Sequence, residues 1–196
     1  MTAIARRPGV LTKVAVRARV VGLKVSGDEM ARVRDRLDGE RIDVVAWHHS
    51  APTFISGALG LGEVPPMLLL PAISHARVLL GEIDVRGIAG WRGLNVVLAS
   101  AITGWRIRLE PVAATDAWRH LSSAMTSRRE VRATVIGPSE RGIRLDVLGL
   151  VAIFSGSEQS FEPGQDLAVR VTRMDADEGR IFVSDRLAPT GQLPLL

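Results

Sequence analysis

The sequence predicts an α+β protein in which two small α/β units are followed by a five-stranded β-barrel. Three observations carry that prediction. Residues 1–110 contain strand, helix and strand patterns twice in succession. A glycine-flanked turn, Gly90-Trp91-Arg92-Gly93, leads at once into a helix-patterned run. Beyond Arg129 the helical period gives way to short stretches separated by turn residues.

Residues 12–20 alternate apolar and charged side chains, the period of a half-buried strand. Ser26 and Glu29 have the spacing of a capping box and open a helix to about Leu37, with Met30, Val33 and Leu37 on one face. Residues 41–47 form the next strand, and a short helix follows with Pro52 in its first turn. Pro65-Pro66 marks a boundary. Beyond it, 67–70 and 75–80 read as strands, 82–89 as a short helix, 94–103 as a longer helix and 105–109 as a strand. In the longer helix Leu94, Val97, Leu98, Ala101 and Ile102 fall at core spacing, and Gly104 stands at the C-cap. The repetition is consistent with an internal duplication.

Residues 111–128 form a connector with a helical turn or two between Asp116 and Met125. Strands are then expected at 130–136, 142–147, 149–154, 166–173 and 180–184, punctuated by Pro138, Gly142, Gly149, Pro163-Gly164 and Asp177-Glu178-Gly179. This density suits a small closed barrel of the OB type. A loose tail follows from Ala188.

Composition narrows the function. Lys and Arg outnumber Asp and Glu by 19 to 12 over residues 1–132, a net of +7, whereas residues 133–196 carry 6 against 9, a net of −3. The basic part contains the glycine turn and favours an anionic partner, although 23 of the 25 basic residues are Arg, which also suits a compositional habit. With no cysteine there is no disulfide or thiolate chemistry. No apolar run approaches the roughly 18 residues of a membrane span, and the N-terminus lacks a signal-peptide pattern, so a cytoplasmic protein without a membrane partner is expected. His48-His49 are adjacent, and neighbours on a strand point to opposite faces. His75 and His120 are remote in sequence, so no metal site is expected. Without a P-loop, a nucleophile–base pair or paired carboxylates, no catalytic residue, cofactor or small-molecule substrate is expected either.

Glycine has no Cβ, so a Gly-x-x-Gly turn lets another backbone approach closely, and the helix beyond offers free N–H groups to phosphate. That is how the loop of KH domains clamps single-stranded RNA. Gly90 to Ile107 resembles the glycine loop, NV-x-LAS helix and TGWRI strand of the NusA family of bacterial transcription factors. Gly39 to Leu59 resembles that family's GE-K/R-IDI…W…P-x-x-F segment, Ile4 to Ala18 the start of its first KH domain, and Gly149 to Pro189 its S1 barrel.

The resemblance implies a first KH domain at 1–64, a second at 65–111, a linker at 112–128, an S1-like OB barrel at 129–188 and a tail at 189–196. Both KH domains would be type II, with mixed three-stranded sheets. In the family the barrel precedes the KH pair. Here it follows, as in the tail of polynucleotide phosphorylase, and the polymerase-docking N-terminal domain is not recognisable. The first KH loop reads Lys24-Val25-Ser26-Gly27 with Asp28-Glu29 beyond, which suits a scaffold better than a clamp.

The candidate RNA contacts are Gly90, Trp91, Arg92, Gly93 and Asn95, with Ile88 lining an apolar base groove and Arg86, Arg106 and Arg108 extending a basic track. Trp91 either stacks on a base or packs against the neighbouring unit. Asn95 bonds either the loop backbone or RNA. Leu94 and Val97 serve the groove or the core, and Trp47 and Trp105 read as packing residues. In the barrel Arg128, Arg129, Arg141 and Arg144 are the basic candidates, and Phe154 is the aromatic one. The expected protein is a non-enzymatic single-stranded-RNA binder of transcription elongation, termination or antitermination, with RNA polymerase or another transcription or ribosome component as partner. The alternatives are a ribosome- or RNA-decay-associated factor, and a protein-interaction module that has lost RNA binding.

Overall fold

The computed structural model describes residues 3–17, 31–32, 35–36, 39–154 and 161–184. The Lys24–Gly27 loop, most of the helix expected over 26–37, residues 155–160 within the expected barrel and the tail lie outside them. The chain forms two compact units.

The first unit comprises Met1–Leu79 with Val85–Leu109. It opens with a strand that the sequence did not announce, β1 (Ala3–Arg7), because adjacent arginines interrupt its alternation. A turn at Pro8-Gly9 returns the chain antiparallel as β2 (Leu11–Val16), with Arg7 opposite Leu11. Strand β3 (Arg41–Ala46) runs parallel to β2, and the register sets Leu11 beside Arg41 and Lys13 beside Asp43. Helix α1 (Ala51–Leu59) takes Pro52 in its first turn, where a missing N–H is harmless, and buries Phe54, Ile55, Ala58 and Leu59.

A second three-stranded sheet has the order β4 (Met67–Leu70), β5 (His75–Leu80), β6 (Arg106–Pro111), with β4 and β5 antiparallel. Helix α2 (Glu82–Ala89) leads to the glycine turn and α3 (Leu94–Thr103), which ends at Gly104 as expected. Helix α3 packs on α1, β1 and β2. Its buried residues are Leu98, Ala99 and Ile102, whereas Ala101 and Val97 are exposed and Leu94 is half-buried. The expected stripe is therefore corrected. Leu98 and Ile102 keep their expected places, but the small side chain of Ala99 turns inward, so the buried face is shifted toward Ala99 and away from Val97 and Ala101.

The second unit comprises Leu80–Asp84 with Glu110–Leu196. Its five strands are β7 (Glu130–Ser139), β8 (Gly142–Val147), β9 (Leu150–Phe154), β10 (Asp166–Asp175) and β11 (Arg180–Ser184). They close a barrel in the order β7-β8-β9-β11-β10, with β10 returning to β7. Strands β9 and β11 are parallel, and the other pairs are antiparallel. Leu145, Val147, Ala152, Val169, Ile181 and Val183 fill the interior.

Helix α4 (Asp116–Thr126) is longer than the turn or two expected. Thr115 caps it by accepting the Trp118 N–H at 3.2 Å, and Trp118, Leu121 and Ala124 are buried. The helix packs on β7 and β10. Gly81 lies against the β10–β11 turn, where the N–H groups of Glu82 and Ile83 donate to the Ala176 and Asp177 carbonyls, each at 3.3 Å.

Candidate nucleic-acid interface

The turn after α2 depends on its glycines. Gly90 has φ 71° and ψ −177°, a region open essentially to glycine alone, and Gly93 is left-handed at φ 73°. The Gly93 N–H donates to the Gly90 carbonyl at 3.1 Å. Arg92 between them is also left-handed, at φ 51°. Gly93 occupies the N-cap of α3 and has no side chain to cap it; the Leu94 N–H donates to the Trp91 carbonyl, and the amides beyond it receive no side-chain acceptor from the cap residue. Trp91 is 64% exposed, and the Arg92 guanidinium lies over its ring at 4.7 Å. Trp91 thus does not pack into the protein.

Asn95 holds this turn in place. Its Nδ2 donates to the Ile88 carbonyl at 2.7 Å and to the Leu59 carbonyl at 3.0 Å. The side-chain amide N–H groups therefore serve backbone.

Beside the turn is an open cleft of about 390 Å³ within the first unit. Its lining combines Ile88, Gly90, Trp91, Leu94 and Asn95 from the region of the glycine turn with Val10, Leu11, Arg41, Asp43, Leu59 and Gly60 from earlier in the chain. Arg41 and Asp43 are site residues that sequence reasoning missed. Their signal was present, because residues two apart on a strand share a face, but nothing local places that face beside a loop fifty residues on. Asp43 accepts from Lys13 Nζ at 2.8 Å and from Arg41 Nε at 3.0 Å. Burial raises its carboxyl pKa, but the hydrogen bonds and charges of Lys13 and Arg41 outweigh that and hold it below its usual value.

Of the remaining expected contacts, Arg86, Arg106 and Arg108 are exposed but do not line the cleft. Arg106 and Arg108 share one face of β6, and Ile107 between them is buried. Trp47 packs near Phe54, with ring centroids 6.5 Å apart, and carries the Arg17 guanidinium at 4.3 Å. His48 and His49 lie just past β3, so strand alternation does not separate them, and their rings stack at 4.4 Å. The expectation that they face apart is corrected. His48 Nδ1 accepts from the Ser50 N–H, and among the described residues no cluster suited to a metal occurs.

In the barrel, Arg128, Arg129 and Arg141 are exposed and Arg144 is half-buried. Phe154 is corrected as a contact. Its ring is 3% exposed and meets Phe161 edge-on at 5.3 Å, so no base can stack on it. A different aromatic is accessible. Phe182 on β11 is half-buried, and the Arg173 guanidinium covers its ring at 5.0 Å.

These features define a mixed α/β protein with a closed five-stranded barrel and an exposed glycine turn beside a charged cleft. No protein-family model matches the chain. Curated relatives do. It is 33% identical over 140 residues to the transcription termination/antitermination protein NusA of Thermus thermophilus, covering 66% of this chain and 35% of that one. It is 30% identical over 115 residues to the NusA of Mycobacterium tuberculosis, and 34% identical over 116 residues to that of Rickettsia conorii. Those matches cover 55% and 53% of this chain, and 33% and 23% of the relatives. The chain is NusA-like, and it spans about a third or less of these relatives' length. Among the described residues no helix is long and apolar enough to cross a membrane.

Proposed function

We propose that this chain is a non-enzymatic single-stranded-RNA-binding protein acting in transcription termination or antitermination. In this reading, residues 1–64 and 65–111 are tandem type II KH domains and 129–188 an S1-like OB barrel. The mixed sheet of β1 to β3 and the closed order of β7 to β11 support those assignments. The observation that carries the reading is the Gly90–Gly93 turn. It is exposed, closed by its own hydrogen bond, and open to a backbone that needs close approach.

In the clamp, the strand's backbone lies against the Cβ-free turn with its phosphates facing the first-turn amides of α3 beyond Leu94, and Arg92 is the nearest cation. Trp91 offers a stacking face and Ile88 an apolar floor. Asn95 acts by holding the turn. Arg86, Arg106 and Arg108 add long-range attraction, and Arg128, Arg129, Arg141 and Arg144 are secondary contacts on the barrel. The names of the relatives support transcription termination or antitermination as the setting, and RNA polymerase is the partner that the family resemblance implies.

Titration with a fluorescent single-stranded RNA over several salt concentrations tests this reading. Each neutralised phosphate adds about −0.7 to the log–log slope. A Gly90→Asp, Gly93→Asp double variant places two carboxylates on the turn, and its affinity is expected to fall at least tenfold. Unchanged affinity in a folded variant rules out the clamp. Recovery of ribosomal subunits without polymerase from cell extracts would redirect the protein to a ribosomal role.

A further inference from the structure

Away from the glycine turn, the cleft lining sets two charged side chains, Arg41 and Asp43, among the apolar Val10, Leu11 and Leu59, and the clamp leaves those charges unused. Lys13, only 2% exposed, spends its ammonium on Asp43 Oδ2, while Arg41, whose side chain is 71% exposed, bonds Oδ1. The carboxylate is fixed from both sides yet remains 21% exposed and lines the cleft. Lys13 and Arg41 against Asp43 leave a net single positive charge, so this part of the cleft attracts an RNA strand. An ionised carboxylate has about four acceptor positions, and Lys13 and Arg41 take two. The volume is in the range of small-ligand sites, roughly 300–1,000 Å³, which suits one nucleotide.

Base chemistry then discriminates. Guanine presents two adjacent donors, N1–H and the 2-amino group, matched to the two oxygens of a carboxylate. Adenine and cytosine set one amino group beside a ring acceptor, and uracil flanks its single N–H with two carbonyls. Acceptors facing a carboxylate repel it.

We propose that this cleft is a guanine subsite, in which Asp43 accepts from N1–H and the 2-amino group of a base delivered by the glycine turn. Lys13 and Arg41 are positioning residues that orient the carboxylate. Trp91 and Ile88, from the same lining, bound the base. The subsite rests on the reading of the turn as an RNA clamp. The low pKa of the Asp43 carboxyl is consistent with an acceptor that stays ionised at neutral pH.

The test compares short oligouridines carrying one central guanosine, inosine, adenosine or cytidine with the unsubstituted oligouridine, by fluorescence anisotropy on the full chain. The wild type is expected to bind the guanosine oligomer about tenfold more tightly than oligouridine, within what one bidentate base contact provides. Inosine, which lacks the 2-amino group, is expected to lose most of that gain. In Asp43→Asn the ratio of guanosine to uridine affinity is expected to fall close to one. Equal affinity for all oligomers in the wild type overturns the subsite and leaves the clamp standing, as does an undiminished ratio in a folded Asp43→Asn. If that variant does not fold, the inosine comparison in the wild type decides alone. Absence of binding to every oligomer overturns the clamp and the subsite together.

Discussion

Asn95 and Leu59 are 36 residues apart, yet the Asn95 Nδ2 donates to the Leu59 carbonyl at 3.0 Å while also donating to Ile88 at 2.7 Å. Both carbonyls belong to the last turns of helices, where no intrahelical donor is available. One amide thus joins the ends of α1 and α2 to the start of α3. Asn95→Ala leaves both acceptors without this donor and is expected to destabilise the first unit by about 1–3 kcal/mol. Urea denaturation measures this. A midpoint identical to wild type would show that water replaces the amide without cost.

Trp91 separates binding from folding. Its ring is 64% exposed, so Trp91→Ala is expected to change stability by less than about 0.5 kcal/mol. Under the clamp reading it weakens RNA binding by about 1–3 kcal/mol, the value of one stacked base. Paired melting and RNA titrations read the two effects independently, and undiminished affinity removes Trp91 from the interface.

Glu40 governs the acid side of the stability profile. Arg6 hydrogen bonds to its carboxylate at 2.9 and 3.1 Å, and the Thr12 hydroxyl and the Gly9 N–H donate to it as well. Led by Arg6 and Thr12, these bonds outweigh burial and lower its pKa from 4.5 to about 2. Because the folded value is the lower one, the unfolded chain takes up this proton first. The contribution of Glu40 is complete above about 4.5 and drains away as pH falls toward about 2. Glu40→Gln is expected to be less stable at neutral pH, with a shallower decline below pH 4.5. Parallel declines in denaturant midpoint for wild type and variant would contradict this.

Gly81 and Gly179 meet backbone to backbone within the second unit. A Cβ on Gly81 would fall 2.6 Å from the Glu178 carbonyl carbon and 2.8 Å from the Gly179 nitrogen, neither of which can swing aside. Gly81→Ala is expected to cost about 1–3 kcal/mol through overpacking. Gly62→Ala is the control, since nothing lies within 4 Å of its Cβ position. Equal melting temperatures for the two variants would refute the argument.

Local elements were legible where consecutive residues carry their own periodicity and punctuation. Strands β2 to β6, helices α1 to α3 and the five barrel strands fall within a few residues of expectation. Strand β1 and the full length of α4 did not emerge. The first has adjacent arginines, and the second is capped by Thr115 with Trp118, not Glu or Gln, three residues on, so no capping box marks its start. The glycine turn was legible because its backbone conformation requires residues without a Cβ.

What the sequence alone determined is the order of strands, helices and turns, since hydrophobic period and glycine or proline placement act over a few neighbouring residues. The tertiary structure alone decided which faces meet. It buried Phe154, exposed Val97, and brought Arg41 and Asp43 to the cleft beside Trp91. Those outcomes depend on side chains some fifty residues apart competing for the same space, and no local pattern encodes the winner.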